Sequence, residues 1–204
     1  MDRVFLLSPA RSSGTRASLL VHAAFEPGAS LRSPQGAPLG DVFAWLSSLY
    51  FRGKLTYAAR FAAQSARVPG ALIITPGQGL CRPATRIRAH ELQAIGQIEV
   101  GDNESFRGPL VRDAERVAQE FAGEVVLLGS IATPKYVEPL LGVFGERLVF
   151  PREFVGRGDM SRGGMLLRAA REGQELDYIP VEGAARKGPR AVKLAKLLPR
   201  HRDE

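Results

Sequence analysis

The stretch 3-RVFLLSPARSSG-14 joins a short apolar run directly to a turn that contains proline and three serines after the run ends. Three further apolar runs repeat the first half of this pattern: 71-ALIIT-75, 125-VVLLGS-130 and 147-RLVF-150. All four runs are rich in Val, Ile, Leu or Phe and are bounded by Gly or Pro. This pattern is typical of strands in a sheet that is covered on both faces.

Segments with helical spacing lie between and after these runs, at 53–66, 107–122, 135–145 and 161–173. The alternation of strands and helices predicts an α/β fold. We expect a single compact domain over residues 1–180, with a mixed, mostly buried sheet flanked by helices, and a basic C-terminal tail over 181–204. The Pro-, Gly- and Ser-rich segment 26–40 is predicted to be a surface loop.

The charge is unevenly distributed along the chain. Lys and Arg number 28 against 21 Asp and Glu, which gives a formal net charge of +7. Seven of the basic residues lie between 186 and 204: Arg186, Lys187, Arg190, Lys193, Lys196, Arg200 and Arg202. This segment is either a solvated tail or an arm that binds phosphates, and in the second case its contribution would fall steeply with salt.

Several classes of protein are excluded by what the sequence lacks. No apolar run is long enough to span a membrane and the N-terminus does not resemble a secretory signal, so we expect a cytoplasmic protein without a membrane partner. The single cysteine, Cys81, predicts no disulfide-linked partner; it is either a small buried side chain or a redox sensor. The histidines lack metal-ligand spacing, so neither a metal nor another cofactor is predicted. No GxSxG motif marks a hydrolase nucleophile.

Three predicted strands end in a hydroxyl residue followed by a turn, at Ser8, Thr75 and Ser130. In open α/β sheets the carboxyl ends of the strands border the ligand crevice, so these turns are expected to converge on one site. At the third turn Thr133 is a candidate N-cap and Pro134 a candidate first helical residue, with Lys135 adding positive charge. The alternative is that each hydroxyl caps a helix or bounds a strand for structural reasons alone.

The segment 155-VGRGDMSRGG-164 is a candidate anion-binding turn. Its glycines allow close backbone approach, Asp159 or Ser161 is a candidate cap of the following helix, and Arg157 and Arg162 flank that helix start. The spacing matches neither GxxxxGK[ST] nor GxGxxG. The alternative is a tight connection whose arginines pair with surface acids.

Short motifs in family order over residues 3–173 resemble the YaaA family of peroxide-stress proteins. They are the Ser-Pro-Ala-basic turn at 8–11, the aromatic-basic-glycine element at 51–53 with Tyr57, the glycine-to-Arg-Pro turn at 79–83, the aromatic-x-Gly helix start at 106–108, Ser130 with Tyr136, and the Arg-Gly-x-Met-Ser-Arg stretch at 157–162. The resemblance implies a compact mixed α/β fold, association with DNA and protection of DNA from peroxide.

Two functions of different class follow, beside a purely structural or interaction role. The first is a YaaA-like protein that binds DNA or nucleotide phosphates in oxidative-stress protection. The second is an enzyme acting on a nucleobase, nucleoside or modified nucleotide, with Asp159 or Tyr136 in acid–base chemistry and Tyr50, Phe51 or Tyr57 stacked on a base. The candidate ligand- or phosphate-binding residues are Ser8, Arg11, Phe51, Lys54, Tyr57, Thr75, Arg82, Ser130, Lys135, Arg157, Gly158, Ser161 and Arg162.

Overall fold

The computed structural model of the chain describes residues 2–62, 67–189 and 191. The helices are α1 (Thr15–His22), α2 (Gly28–Arg32), α3 (Leu39–Phe61), α4 (Ala89–Gln97), α5 (Glu104–Glu120), α6 (Val137–Phe144) and α7 (Asp159–Glu172). The strands are β1 (Arg3–Leu7), β2 (Ala37–Pro38), β3 (Ala71–Thr75), β4 (Gly79–Cys81), β5 (Arg86–Ile87), β6 (Glu124–Leu128), β7 (Leu148–Pro151) and β8 (Tyr178–Pro180).

Six of the strands form one mixed sheet in the order β4-β3-β1-β6-β7-β8. The inner four strands are parallel, and the edge strands β4 and β8 pair antiparallel to their neighbours. Strands β2 and β5 form a separate antiparallel pair. The predicted α/β architecture with a mixed, buried sheet is confirmed.

The central strands are buried on both faces. Residues 4–7 of β1 and 125–128 of β6 are all inaccessible to solvent, so side chains of both orientations meet protein rather than water. Helices α3 and α7 pack on each other, and α3 also contacts β1 and β3. Helices α5 and α6 form a second pair, which contacts β4 and β7.

Two glycines allow α3 and α7 to approach at backbone distance. A β-carbon placed on Gly53 would lie 2.7 Å from the Gly163 carbonyl oxygen, and one on Gly163 would lie 2.7 Å from the Leu49 carbonyl oxygen. These distances are shorter than van der Waals contact, so the two helices can approach this closely only because Gly53 and Gly163 have no side chain. The packing fixes the first turn of α7 against the middle of α3.

Several local predictions need correction. Segment 26–40 is not a plain loop, because it contains α2, β2 and the start of α3. The short helices α1 and α4 were not predicted. The helix predicted from residue 53 is the second half of α3, which begins at Leu39 and is broken at Ser48.

The predicted tail begins as part of the folded body. The Val181 side chain is buried, its backbone N–H donates to the Leu148 carbonyl, and the Ala191 N–H donates to the Gly156 carbonyl. Five basic residues of the tail lie outside the described residues: Arg190, Lys193, Lys196, Arg200 and Arg202. Across the described chain, none of the helices has the length and apolar character needed to cross a membrane.

Candidate functional site at the carboxyl ends of the parallel strands

A cavity of about 900 Å³ lies where the direction of the chain reverses between neighbouring strands. From β1 the chain moves to β3 on one side, and it later returns to β6 on the other side of β1. Open α/β sheets bind ligands at such a switch point. The residues that line the cavity are Ser8–Ser13, Leu46, Ser47, Tyr50, Pro76, Ile95–Val100, Ser130, Thr133, Lys135, Tyr136 and Asp159.

The turns after β1 and β6 meet on the floor of this cavity. The Ser8 N–H donates to the Leu128 carbonyl oxygen at 3.1 Å, so the pairing of the two strands continues one residue past the end of β1. A β-carbon at Gly129 would lie 2.9 Å from both the Ser8 Cβ and the Tyr136 hydroxyl oxygen. Glycine at this position therefore lets Ser8 and Tyr136 approach each other.

The Tyr136 hydroxyl is held by the backbone of Ser130. It accepts a hydrogen bond from the Ser130 N–H at 3.1 Å and donates one to the Ser130 carbonyl oxygen at 2.9 Å. Burial raises the pKa of Tyr136, while hydrogen bonding to Ser8 and Ser130 opposes this rise. The phenol is thus a neutral, fixed group at the edge of the cavity.

Lys54 lies beneath the cavity floor and contacts Ser8. Its side chain comes from α3 and is 1% exposed. Its Nζ donates to the Ser8 carbonyl oxygen at 2.6 Å and to the Ser8 Oγ at 3.0 Å. The rings of Tyr50 and Phe51 each have their centre 4.5 Å from Nζ. Burial lowers the pKa of Lys54 to about 7, a shift that Asp159 opposes.

Tyr50 carries a buried hydroxyl that has no hydrogen-bond partner among the described residues. The residue lines the cavity and is 5% exposed. Burial raises the pKa of Tyr50. Arg162 opposes this rise, whereas Tyr136 and Asp159 add to it. Buried polar groups are nearly always satisfied, so this hydroxyl is a group that a ligand would complete.

The break in α3 directs residues onto the cavity. Ser48 has φ 49° and ψ −123°, which is a conformation that favours glycine. Leu46 and Ser47 line the cavity before this break and Tyr50 lines it afterwards. Strained backbone of this kind is concentrated at functional sites, where the surrounding structure maintains it.

The rim of the cavity carries charges of both signs. Arg11 and Lys135 are exposed cations that form neither a hydrogen bond nor an ion pair with any part of the chain that the structure describes. Asp159 and Glu99 are the acidic side chains of the lining. The two free cations stand beside the turns after β1 and β6, where they are available to an anionic group of a ligand.

The predicted anion-binding turn is divided by the structure. Asp159 faces the cavity, whereas Arg157 lies at a second pocket beside Glu153 and Met165. Arg157 donates to the Glu153 carbonyl and to the Ser161 Oγ. Gly158 is the N-cap of α7 without a side-chain cap, so the expectation that Asp159 or Ser161 caps this helix is wrong.

Arg162 is a structural cation rather than an exposed phosphate ligand. It is 9% exposed, and its Nε and one terminal nitrogen donate to the Phe154 carbonyl oxygen at 3.2 and 3.0 Å. Its other terminal nitrogen lies 3.5 Å from an Asp159 carboxylate oxygen. Arg162 therefore ties the start of α7 to the preceding turn and positions Asp159 at the cavity.

The predicted helix start after β6 is also wrong. Helix α6 begins at Val137 with Tyr136 as its N-cap residue, and Thr133 and Pro134 belong to the preceding turn. The Pro134 carbonyl accepts from the Glu138 N–H, so this turn leads into the helix without Thr133 as a cap. Thr133 and Lys135 still line the cavity.

Four other candidates lie outside the cavity. Phe51 and Tyr57 are fully buried in the core, so the expectation that they stack on a base is not met. Thr75 is 1% exposed and its hydroxyl donates to the Ile73 carbonyl, while the next residue, Pro76, reaches the cavity. Arg82 is exposed on the turn between β4 and β5.

Part of the cavity wall is formed by residues that were not predicted as site residues. Ser12 and Ser13 belong to the turn that was recognised, and the density of hydroxyl groups there was the available signal. Ile98 and Glu99 follow α4, a nine-residue helix that was not predicted. Their position near Ser8 depends on tertiary packing, and no local pattern indicates it.

Cys81 is not among the residues that line this cavity. The Cys81 thiol is half-buried and its burial raises its pKa, which lowers the thiolate fraction. Among the described residues, no group of three or more His, Cys, Asp or Glu side chains is placed to hold a metal ion.

The fold and the cavity define a class, that of α/β proteins with an open, mostly parallel sheet and a ligand-sized cavity at its switch point. No family model, no curated protein and no solved structure matches the chain. The resemblance to the YaaA family therefore stays a prediction from the motifs.

Proposed function

We propose that the protein is an enzyme that acts on a nucleobase, nucleoside or modified nucleotide in the cavity formed by the ends of β1, β3 and β6. The observation that carries this proposal is the convergence of Ser8, Pro76 and Ser130 on one cavity of about 900 Å³. Pockets for small ligands range from roughly 300 to 1,000 Å³, so this space suits a nucleotide.

The lining supports a ligand with an anionic end and a flat apolar end. Arg11 and Lys135 are free to bind a phosphate, as charge-assisted hydrogen bonds to phosphate are among the stronger polar contacts. Leu46, Ile95 and Ile98 supply apolar surface, and the Tyr50 hydroxyl is a donor or acceptor for a polar edge.

Titration calorimetry with nucleobases, nucleosides, nucleotides and inorganic pyrophosphate tests this function. We expect nucleotides to bind more tightly than the matching nucleosides, because only nucleotides reach Arg11 and Lys135. Binding should weaken with added salt. Equal affinity for a nucleoside and its nucleotide, or no binding by any compound at millimolar concentration, contradicts the proposal.

DNA association in oxidative-stress protection is the second proposal, and the charge of the chain supports it. The net charge is +7, and the seven basic residues of segment 186–204 account for most of it. Such a segment favours phosphate contacts without sequence readout. The two proposals are compatible, because the cavity and the tail are separate parts of the chain.

A further inference from the structure

The contact between Lys54 and Ser8 places a buried amine beside the hydroxyl of a residue that lines the cavity. The Lys54 Nζ lies 3.0 Å from the Ser8 Oγ. Ser8 lines the cavity, whereas Lys54 lies behind it and is 1% exposed. A ligand in the cavity therefore contacts Ser8, and the Lys54 amine lies directly behind that residue.

Burial of Lys54 disfavours its charged form, whereas the faces of the Tyr50 and Phe51 rings and the Ser8 carbonyl oxygen favour it. The side chain is enclosed by the rings of Tyr50 and Phe51, and no carboxylate of the described chain forms an ion pair with it. The titratable groups that act on this region are Asp159 and Arg162 from α7, Tyr50 from α3 and Tyr136 before α6. Burial outweighs the attraction of Asp159 and brings the pKa of Lys54 to about 7, so much of the amine is free of its proton at neutral pH.

We propose that Ser8 is a nucleophile and that Lys54 is its general base, so that the cavity cleaves an ester or amide bond of an anionic substrate. An adjacent base is what turns a serine hydroxyl into an effective nucleophile, and lysine serves in this role in serine–lysine pairs. The inference rests on the proposed function for the position of the substrate, because Arg11 and Lys135 would bind its anionic group.

The reaction requires only Ser8, Lys54, the substrate and water. In its neutral form the Lys54 amine donates an N–H to the Ser8 carbonyl oxygen and turns its lone pair to the Ser8 hydroxyl. The Ser8 Oγ then forms a bond to the carbonyl carbon of the substrate while its proton passes to the Lys54 Nζ. The bond from that carbon to the alcohol or amine breaks, and the leaving group takes the proton from Lys54. Water then attacks the acyl-serine, with Lys54 accepting a proton from the water and returning it to the Ser8 Oγ as the acid is released.

A fluorophosphonate reagent tests the nucleophile directly, because its phosphorus forms a stable bond to an activated serine with loss of fluoride. We expect one adduct per chain in the intact mass, located on Ser8 by peptide mapping. The rate of labelling should rise with pH through a midpoint about 7, where Lys54 loses its proton. Replacement of the lysine in K54M should slow labelling by about 10² or more, the typical contribution of a general base.

The matched control is S105A, which removes an exposed serine of α5 that is not part of the cavity lining. This variant should be labelled at the rate of the wild type. The pH profile of the wild type keeps the test decisive if K54M does not fold. No adduct on Ser8, or an adduct that forms at the same rate from pH 5 to pH 9, overturns the proposal.

The two proposals fail separately, because nucleotide binding and serine labelling are measured independently on the wild-type protein. Nucleotide binding without labelling of Ser8 overturns the nucleophile and leaves the ligand site intact. Labelling of Ser8 without nucleotide binding supports the serine–lysine pair and overturns the assignment of the ligand.

Discussion

The amine of Lys54 and the hydroxyl of Ser8 lie 3.0 Å apart although they are 46 positions apart in the chain. Ser8 directly follows the central strand β1, and Lys54 projects from the second half of α3, after the break at Ser48. The packing of α3 on the sheet therefore brings a buried amine to the end of the strands where the cavity opens.

The burial of Lys54 makes stability depend on pH. The folded side chain has a pKa of about 7 instead of 10.5, so between these values the unfolded chain binds more protons than the folded one. Stability contributed by this residue therefore rises with pH from about 7 and is lost as the pH falls. Relative to K54M, the wild type should gain on the order of 2 kcal/mol in free energy of unfolding between pH 7 and pH 9. Urea denaturation of both proteins at each pH measures this difference, and parallel curves contradict it.

The free cations of the rim should determine affinity for phosphate. In the double variant R11A/K135A, nucleotide affinity should fall by at least about tenfold, because two charge-assisted contacts are lost. The control is R82A, which removes an exposed arginine that does not line the cavity. Calorimetry should show unchanged affinity for the control and an unchanged melting temperature for all variants. A similar loss of affinity in R82A would indicate general electrostatic attraction instead of a defined site.

The hydroxyl of Tyr50 should reduce stability and support binding. Since it is buried without a partner in the described chain, Y50F should raise the free energy of unfolding by about 1 kcal/mol and weaken ligand binding. The comparison is Y136F, whose lost hydroxyl bonds the Ser130 N–H and carbonyl. That variant should be destabilised by about 1–3 kcal/mol. Equal effects of the two changes on stability would show that the Tyr50 hydroxyl is satisfied in solution.

The close approach of α3 and α7 should depend on Gly163. An added β-carbon there would overlap the Leu49 carbonyl and the Tyr50 Cα, so G163A should destabilise the fold by about 1–3 kcal/mol. The same change at Gly142, a helical glycine of α6 with no atom within 4 Å of an added β-carbon, should stabilise by about 0.5–1 kcal/mol. Thermal denaturation should show a lower melting temperature for G163A and a higher one for G142A than for the wild type. An unchanged melting temperature of G163A would contradict the close contact of the two helices.

The basic tail should carry DNA affinity separately from the cavity. Removal of residues 192–204 deletes Lys193, Lys196, Arg200 and Arg202, so the slope of log affinity for duplex DNA against log salt should become shallower by up to about 4. Nucleotide binding in the cavity should stay the same, and it is the internal control for folding. Equal DNA affinity of the full-length and the truncated protein at every salt concentration would contradict a role of the tail in DNA binding.

The sequence alone predicted the four parallel strands β1, β3, β6 and β7 and two of the turns that line the candidate site, but not the short strands β2, β4, β5 and β8. Apolar runs such as 71-ALIIT-75 are short, local and strongly patterned, and each appears as a strand of the sheet. The hydroxyl-rich turns after β1 and β6 were recognised for the same reason, since turn chemistry is local. Short helices such as α1 and α4 were not predicted, because a segment of eight or nine residues has few helical turns and therefore a weak periodic pattern.

Only the tertiary structure decided which side chains belong to the site. The segment 157–162 reads as a continuous cluster of charge, yet Arg157 and Asp159 lie at different pockets and Arg162 is buried between elements. Conversely, Ser8, Tyr50 and Lys54 meet because strand order and helix packing place them together. The physical reason is that side-chain periodicity specifies which face of an element is buried, whereas the partner of that face is set by contacts far apart in the sequence.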